Sequence, residues 1–240
     1  MTTRKRGGLS SPVRWVGGKG LNYQWVIEHF PEHVCYTEAF GGGASVLLNK
    51  PPAKVEIYLH SDLVHLFDVL RCPRKSKVLQ EKLKLTLFHE SEFKRAWKTA
   101  LPTEAVERAR RVMIRMRMAF GGNGARDSCP GFAFGKTVNS ALAFRRKVDE
   151  LHLVHDRLRN VTIMSRDALD VIERFDSPDT LHYVDPPYVL SARKDLKAYR
   201  HEMTDDQHEQ LGNLLNRVKG KVVLSGYDNA LYERLYAGWR

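Results

Sequence analysis

The chain has 240 residues, of which 42% are hydrophobic, and it carries a formal net charge of +11. A chain of this length can bury the core of one α/β domain or of a domain with an insertion. It has no apolar run as long as about 18 residues and no signal-like apolar segment. This argues against a membrane protein and predicts a soluble, cytoplasmic one. The three cysteines are far apart and form no Cys-x-x-Cys pair, which favours a reducing compartment and argues against a metal site.

The positive charge is concentrated in the middle of the chain. Residues 71–159 contain 21 Lys and Arg against nine Asp and Glu, whereas the rest of the chain has 18 basic and 19 acidic residues. A long segment with one sign of charge is typical of a protein that binds the phosphates of a polyanion. A solvated, lysine-rich helix surface would explain one run such as residues 71–84, but it is less adequate for 21 residues spread over several elements.

A predicted strand, a glycine-rich turn and the beginning of a helical pattern follow one another over residues 34–48, with three glycines at residues 41–43. This order lets a cofactor approach the backbone at the N-terminus of a helix, although a glycine triplet alone is often only a flexible turn. Asp62 lies about 20 residues after Gly42, the interval at which dinucleotide-binding folds place a ribose-binding acid. Asp62 could equally cap the helix predicted for residues 63–70.

Within the basic segment, residues 104–118 have the pattern of an arginine-rich helix. The glycine-rich stretch 120–127 that follows could enter a DNA groove and present Asn123 and Arg126 to base edges, since Asn matches adenine and Arg matches guanine. A mobile surface loop is a fair alternative. The candidate DNA contacts are therefore Arg115 and Arg117 in the helix and Asn123 and Arg126 in the glycine-rich stretch.

The strand pattern resumes after the basic segment, at residues 161–164, 181–184 and 222–225. A helix is predicted for residues 205–218, and residues 204–207 fit a capping box at its start. The order of strands and helices predicts an α/β fold, with a largely parallel sheet, helices on both faces and a mainly helical insertion.

The residues Asp185, Pro186, Pro187 and Tyr188 follow the apolar run 181–184, at the point where a buried strand ends. Asp185 and the carbonyl of Pro186 can each accept a hydrogen bond from an exocyclic amine. Tyr188 can stack on the ring that carries the amine, at about 1–3 kcal/mol per base. With both amine hydrogens held, the nitrogen lone pair turns out of the ring plane toward an electrophile. The other interpretation is a Pro-Pro turn that ends a strand, with Asp185 as a helix cap.

Three motifs carry a family resemblance: Arg-Trp-Val-Gly-Gly-Lys at residues 14–19, Tyr-Thr-Glu-Ala-Phe-Gly-Gly-Gly-Ala-Ser at residues 36–45, and Asp-Pro-Pro-Tyr at residues 185–188. In this order, the chain resembles the Dam-like, D12 class of adenine-specific DNA methyltransferases. The resemblance implies an enzyme that transfers a methyl group from S-adenosyl-L-methionine to N6 of adenine in DNA. It also implies a Rossmann-like catalytic domain of residues 1–70 and 161–240, with a DNA target-recognition insertion of residues 71–160.

The resemblance further assigns residues to roles. It implies that the methionine end of the cofactor is held by Trp15, Gly17, Gly18, Lys19, Glu38, Phe40 and Gly42, its ribose by Asp62 and its adenine by Asp167. It implies that the target adenine is held by Asp185, Pro186, Pro187 and Tyr188. Asp167 could instead cap the helix predicted for residues 168–175. The implied partner is double-stranded DNA, with a cognate restriction enzyme as a candidate second partner, for a monomer in a bacterial or phage-infected cell.

The chain departs from the family pattern in three places. Ala39 stands where the family usually has proline, and the segment before Asp62 is a few residues shorter than in relatives. The chain also stops at Arg240, where relatives continue into the last strands of the sheet. Two other functions therefore stay open: a catalytically degenerate DNA-binding relative, and a methyltransferase that acts on another planar amine, such as one in RNA.

Overall fold

A computed structural model describes residues 8–59, 63–98, 100–125, 129–192 and 202–240. The strands are β1 (Cys35–Glu38), β2 (Val55–Leu59), β3 (Thr162–Met164), β4 (Thr180–Val184) and β5 (Lys221–Leu224). The helices are α1 (Tyr23–Glu28), α2 (Val64–Arg71), α3 (Pro73–Lys84), α4 (Glu90–Lys98), α5 (Ala105–Met118), α6 (Ser140–Asp149), α7 (Leu151–Leu158), α8 (Ala168–Arg174), α9 (Asp205–Leu215) and α10 (Ala230–Leu235), with 3₁₀ turns at Phe120–Ala125 and Leu190–Ala192. Asp62 and Arg126 lie outside the described residues, and only the backbone of Asn123 is described.

The five strands form one parallel sheet in the order β3-β2-β1-β4-β5. All five residues of β4 are buried, as expected for a central parallel strand that is covered on both faces. The prediction of a Rossmann-like parallel sheet is confirmed. The strand order reverses between β1 and β4, and open α/β sheets bind their ligands at such a point, outside the carboxyl ends of the strands.

Helices cover both faces of the sheet because its side chains alternate between two hydrophobic clusters. Tyr36 and Tyr183 belong to a large cluster that includes Phe67 of α2 and Met113 of α5. On the opposite face, Val184 packs in a cluster with residues of α8 and α9. The helices of the basic segment thus share a core with the sheet, and the proposed boundaries of the insertion stay a prediction.

One local prediction needs correction. The helical pattern after the glycine turn forms a series of turns with single i→i+4 bonds such as Leu48 to Ala44, because Pro51 and Pro52 follow at once and cannot continue a helix. The described part of the glycine-rich stretch, Phe120–Ala125, is a 3₁₀ turn in which Phe120 N–H donates to the Gly131 carbonyl at 2.8 Å, and its contact with DNA stays a prediction. The capping box between Thr204 and Gln207 is confirmed. In the described ranges, no helix is long and apolar enough to cross a membrane.

Candidate active site

The carboxyl ends of β1 and β4 bring two acidic residues to one edge of the sheet. Glu38 is the last residue of β1 and lies opposite Tyr183 in the pairing with β4. Asp185 follows the last residue of β4 directly. Because these two strands flank the reversal of strand order, both carboxyl groups face the position where this class of sheet binds ligands.

A cleft of about 380 Å³, including its open mouth, lies at this edge of the sheet. Its walls come from three separate segments: the residues before α1, the turn after β1, and the end of β4. The structure thus brings together all three sequence motifs around one cavity. The residues that line it are Trp15, Val16, Gly17, Gly18, Lys19, Glu38, Phe40, Gly41, Gly42, Gly43, Ser45, Val46, Tyr183 and Asp185.

Lys19 connects the first motif to the last. Its ammonium donates to Asp185 Oδ2 at 2.5 Å, to the Tyr188 hydroxyl at 3.1 Å and to the carbonyl of Gly17 at 3.2 Å. Burial raises the pKa of Asp185, and the adjacent charge of Lys19 opposes that rise. The three side chains therefore form one polar cluster in which the position and the charge of Asp185 depend on Lys19.

Glu38 lies deeper in the same cleft and is only 2% exposed. Its Oε2 accepts a hydrogen bond of 2.6 Å from the Tyr36 hydroxyl. Burial raises the pKa of Glu38 to about 8, and the charge of Asp185 contributes to the rise, while the bond from Tyr36 and a backbone bond from Leu47 lower it. The cleft thus has two carboxyl groups that repel one another when both are ionised.

The glycine turn is shaped by close aromatic contacts. Gly42 has a φ of +49°, a left-handed conformation that a side chain disfavours, and a Cβ there would lie 3.0 Å from the ring of Trp15. A Cβ on Gly41 would clash with the ring of Tyr58. The Tyr58 hydroxyl in turn donates to the Gly42 carbonyl at 2.7 Å. Glycine is therefore required at these positions because rings from the first motif and from β2 press against the backbone.

The remaining predicted residues lie in different surroundings. Gly17 and Gly18 are exposed, Pro186 is buried, and Pro187 is half-buried after β4. Asp167 is exposed and caps α8, since its Oδ1 accepts from Leu169 N–H at 2.8 Å. The capping interpretation of Asp167 therefore describes the structure, and its contact with a cofactor stays a prediction.

The two helical arginines predicted to contact DNA do not extend freely into solvent. Arg115 donates through Nε to the Ala96 carbonyl at 2.8 Å and packs over the ring of Trp97. Arg117 is only 8% exposed, and its neighbours Met116 and Met118 on α5 belong to the large hydrophobic cluster. Burial, followed by repulsion from Arg14, lowers the pKa of Arg117 to about 10. Its Nε is buried and has no hydrogen-bond partner among the described residues.

Sequence reasoning did not single out three tyrosines that contact the predicted site residues. Tyr36 and Tyr58 hold Glu38 and the glycine turn. Tyr227, in the turn after β5, lies 4.8 Å from Tyr188 between ring centroids, at an interplanar angle of 74°. The position of Tyr227 follows from the sheet order, because β5 neighbours β4 and both strands end at the same edge. A strand order cannot be read from the sequence alone.

One of the comparisons with known proteins identifies the family of the chain. A family model described as "D12 class N6 adenine-specific DNA methyltransferase" matches residues 15–239, nearly the whole chain. A search of curated proteins found no match. The matched span includes the cleft residues from Trp15 to Asp185 and the Tyr188 that follows them, and it confirms the family that the three motifs indicated. The chain belongs to the D12 class of N6 adenine-specific DNA methyltransferases.

Proposed function

We propose that the cleft between β1 and β4 is where the chain methylates adenine, with S-adenosyl-L-methionine as methyl donor and double-stranded DNA as substrate. The single observation that carries the proposal is the cluster of Lys19, Asp185 and Tyr188 beside the buried carboxyl of Glu38. In this cluster, Asp185 can hold an exocyclic amine, and it lies beside a pocket in which the carboxyl of Glu38 can hold a cationic cofactor.

The side chains of the cleft fit the methionine end of S-adenosyl-L-methionine. That end has an ammonium group, which a buried carboxylate such as Glu38 can hold, and a carboxylate, which an ammonium and backbone N–H groups can hold. Aromatic walls from Trp15 and Phe40 complete the pocket. When bound, the cofactor supplies a methyl group activated by a cationic sulfur.

The residues after β4 are suited to the target adenine. Asp185 and the Pro186 carbonyl would accept the two hydrogens of N6, and Tyr188 would stack on the base. The adenine must leave the duplex first, because its amine cannot reach a recessed cleft while it is stacked and paired. Since burial raises the pKa of Asp185, its carboxyl is suited to take the proton that N6 gives up on methylation.

Lys19 has a part in this arrangement as the present partner of Asp185. One oxygen of Asp185 accepts from Lys19 at 2.5 Å, so an incoming amine competes with an ammonium for the same carboxyl. Asp185 therefore accepts a hydrogen bond from Lys19 before the base binds and from the adenine amine afterwards. This limits the cost of the buried charge before the base arrives.

We also propose that Arg117, together with Arg14, binds a DNA phosphate. A buried guanidinium beside a second arginine, with an Nε that lacks a partner in the described residues, is costly unless an anion approaches it, and the field of Glu150 offsets only part of that cost. Arg14 precedes Trp15, which lines the cleft, so a phosphate held by Arg14 would lie close to the cleft. Arg117→Met should therefore lower the slope of log affinity against log salt by about one. Arg174→Met, at an exposed position of α8, is the control and should leave the slope unchanged.

The experiment that tests the reaction is incubation with unmethylated duplex DNA and radiolabelled S-adenosyl-L-methionine, followed by nucleoside analysis. We expect label only in N6-methyladenine. Asp185→Ala should abolish label transfer while calorimetry still detects cofactor binding. Label transfer to RNA in place of DNA would refute the substrate. DNA binding without cofactor binding would identify a degenerate relative.

A further inference from the structure

The buried tyrosine behind the cleft contacts the cofactor pocket from inside the protein. Tyr36 lies on β1, two residues before Glu38, so both side chains point to the same face of the sheet. Tyr36 is fully buried, and its hydroxyl donates to Glu38 Oε2 at 2.6 Å. A short bond between two buried groups fixes the direction of the carboxyl more strongly than a solvated contact would.

The ring of Tyr36 is held in turn by a buried cluster of charges. The ammonium of Lys50 lies 4.4 Å from the centre of the ring and donates to Glu56 Oε1 at 2.7 Å. Arg157 donates to both oxygens of Glu56, at 2.6 and 2.8 Å. Phe30 packs against the ring at 5.7 Å between centroids. These contacts prevent the ring from swinging away, so the hydroxyl is presented to Glu38 from a rigid support.

We propose that Tyr36 is a positioning residue for methyl transfer, whose hydroxyl holds the Glu38 carboxyl toward the cleft to receive the cationic amino group of the cofactor. The proposal rests on the proposed function of Glu38 as a cofactor ligand. Tyr36 itself does not line the cleft. It acts only through Glu38, as a fixed donor on the side of the carboxyl that faces the core.

The groups around Glu38 determine its pKa, and the effect of the Tyr36 hydroxyl on that pKa can be measured. The fields of Asp185 and Lys50 act on Glu38, and Tyr36 and the backbone of Leu47 donate hydrogen bonds to it. The titratable groups that also face it are Tyr58, Tyr183 and, in the same cleft, Lys19. Burial raises the pKa of Glu38 to about 8, and the bond from Tyr36 opposes that rise. At neutral pH, the carboxyl must therefore lose its proton when a cation binds. Loss of the Tyr36 hydroxyl should make that proton harder to remove.

The test is calorimetry of S-adenosyl-L-methionine binding to the full chain, from about pH 6 to 7.5, in buffers of different ionisation enthalpy that report the protons released. We expect the affinity of the wild type to rise with pH, by up to about tenfold per pH unit, and protons to be released on binding. Tyr36→Phe should bind about tenfold more weakly at each pH and release more protons than the wild type at about pH 7.5, since a hydrogen bond to a charged group is lost. Tyr236→Phe removes a hydroxyl from a tyrosine outside the cleft and serves as the matched control.

Three outcomes separate this inference from the proposed function. If Glu38→Gln binds the cofactor like wild type, Glu38 is not a ligand and the proposed function of the pocket fails. If Glu38→Gln binds weakly but Tyr36→Phe has wild-type affinity and proton release, only the role of Tyr36 is refuted. Weak binding by Tyr36→Phe with unchanged proton release would also refute it, because loosened packing alone predicts that result. Should Tyr36→Phe fail to fold, 3-fluorotyrosine at position 36 is the alternative. Its more acidic hydroxyl should strengthen binding, and unchanged or weaker binding would overturn the proposal.

Discussion

The buried carboxyl of Glu38 should make the stability of the protein fall as the pH rises. The pKa of Glu38 is about 8 in the folded chain, whereas an exposed glutamate, as in the unfolded chain, has a pKa of 4.5. The folded state therefore binds more protons than the unfolded state between these values, and the free energy of unfolding decreases with pH across that window. The contribution is complete below the unfolded pKa and is lost as the pH rises through the folded pKa.

The size of the effect follows from the two pKa values. Between about pH 6 and about pH 8.5, the Glu38 contribution to the free energy of unfolding falls by about 2.5 kcal/mol. For a chain of this size, that corresponds to a change in melting temperature of about 5–10 °C. Glu38→Gln keeps the shape and an acceptor for Tyr36 but cannot ionise. Because the unfolded wild type is already ionised at the lower pH, the variant should be about 2 kcal/mol more stable than the wild type there, and this advantage should grow by about 2.5 kcal/mol at the higher pH.

The assay is urea unfolding, followed by circular dichroism, of wild type and variant at both pH values. Glu28→Gln, an exposed change on α1, is the control and should follow the wild type. Because other groups titrate in both proteins, the difference between wild type and Glu38→Gln isolates the carboxyl. An equal pH dependence of the two proteins would refute the idea that Glu38 holds a proton in the folded state.

Three further changes test other contacts. Gly41→Ala should destabilise the fold by about 1–3 kcal/mol and weaken cofactor binding in calorimetry, because the new Cβ clashes with the ring of Tyr58. Glu56→Gln should cost about 3–5 kcal/mol in urea unfolding, since Lys50 and Arg157 lose their buried partner. Tyr227→Ala should raise the KM for DNA about two- to tenfold in the labelling assay, with little change in cofactor affinity, because Tyr188 loses an edge-to-face neighbour. A wild-type KM would show that this neighbour does not help to orient Tyr188.

Much of the fold was predictable because local sequence patterns indicate strands and helices. The helix predicted for residues 104–118 is α5, Ala105–Met118, and Glu104 caps it through its side chain. The order in which strands pair depends on long-range packing, which no local pattern encodes. The helix predicted after the glycine turn was wrong because the apolar run that follows is too short to propagate before Pro51.

The sequence predicted the site residues that lie at the end of a strand. It did not predict the contacts that depend on residues far apart in the chain. Asp185 and Glu38 meet because each ends a central strand. The contact of Lys19 with Asp185 joins residues 166 positions apart, and a family motif suggests the residue but not the ion pair. Arg117 illustrates the opposite case, since a basic residue on a helix suggests exposure whereas packing of α5 buries it.

The two sites that we propose, the cleft and the pair Arg14 and Arg117, suit ligands of opposite charge. Glu38 and Asp185 raise the cost of one another's ionisation in a cleft that holds Lys19 as an internal cation, so the cleft gains from a positively charged ligand. The basic excess of residues 71–159 and the buried guanidinium of Arg117 would gain instead from the phosphates of the proposed DNA substrate. A cationic cofactor and an anionic duplex can therefore bind the same chain without competing for the same charges. Raising the salt concentration should weaken DNA binding much more than cofactor binding. The carboxyl of Glu38 is buried and therefore poorly screened, whereas phosphate binding releases counterions from the DNA.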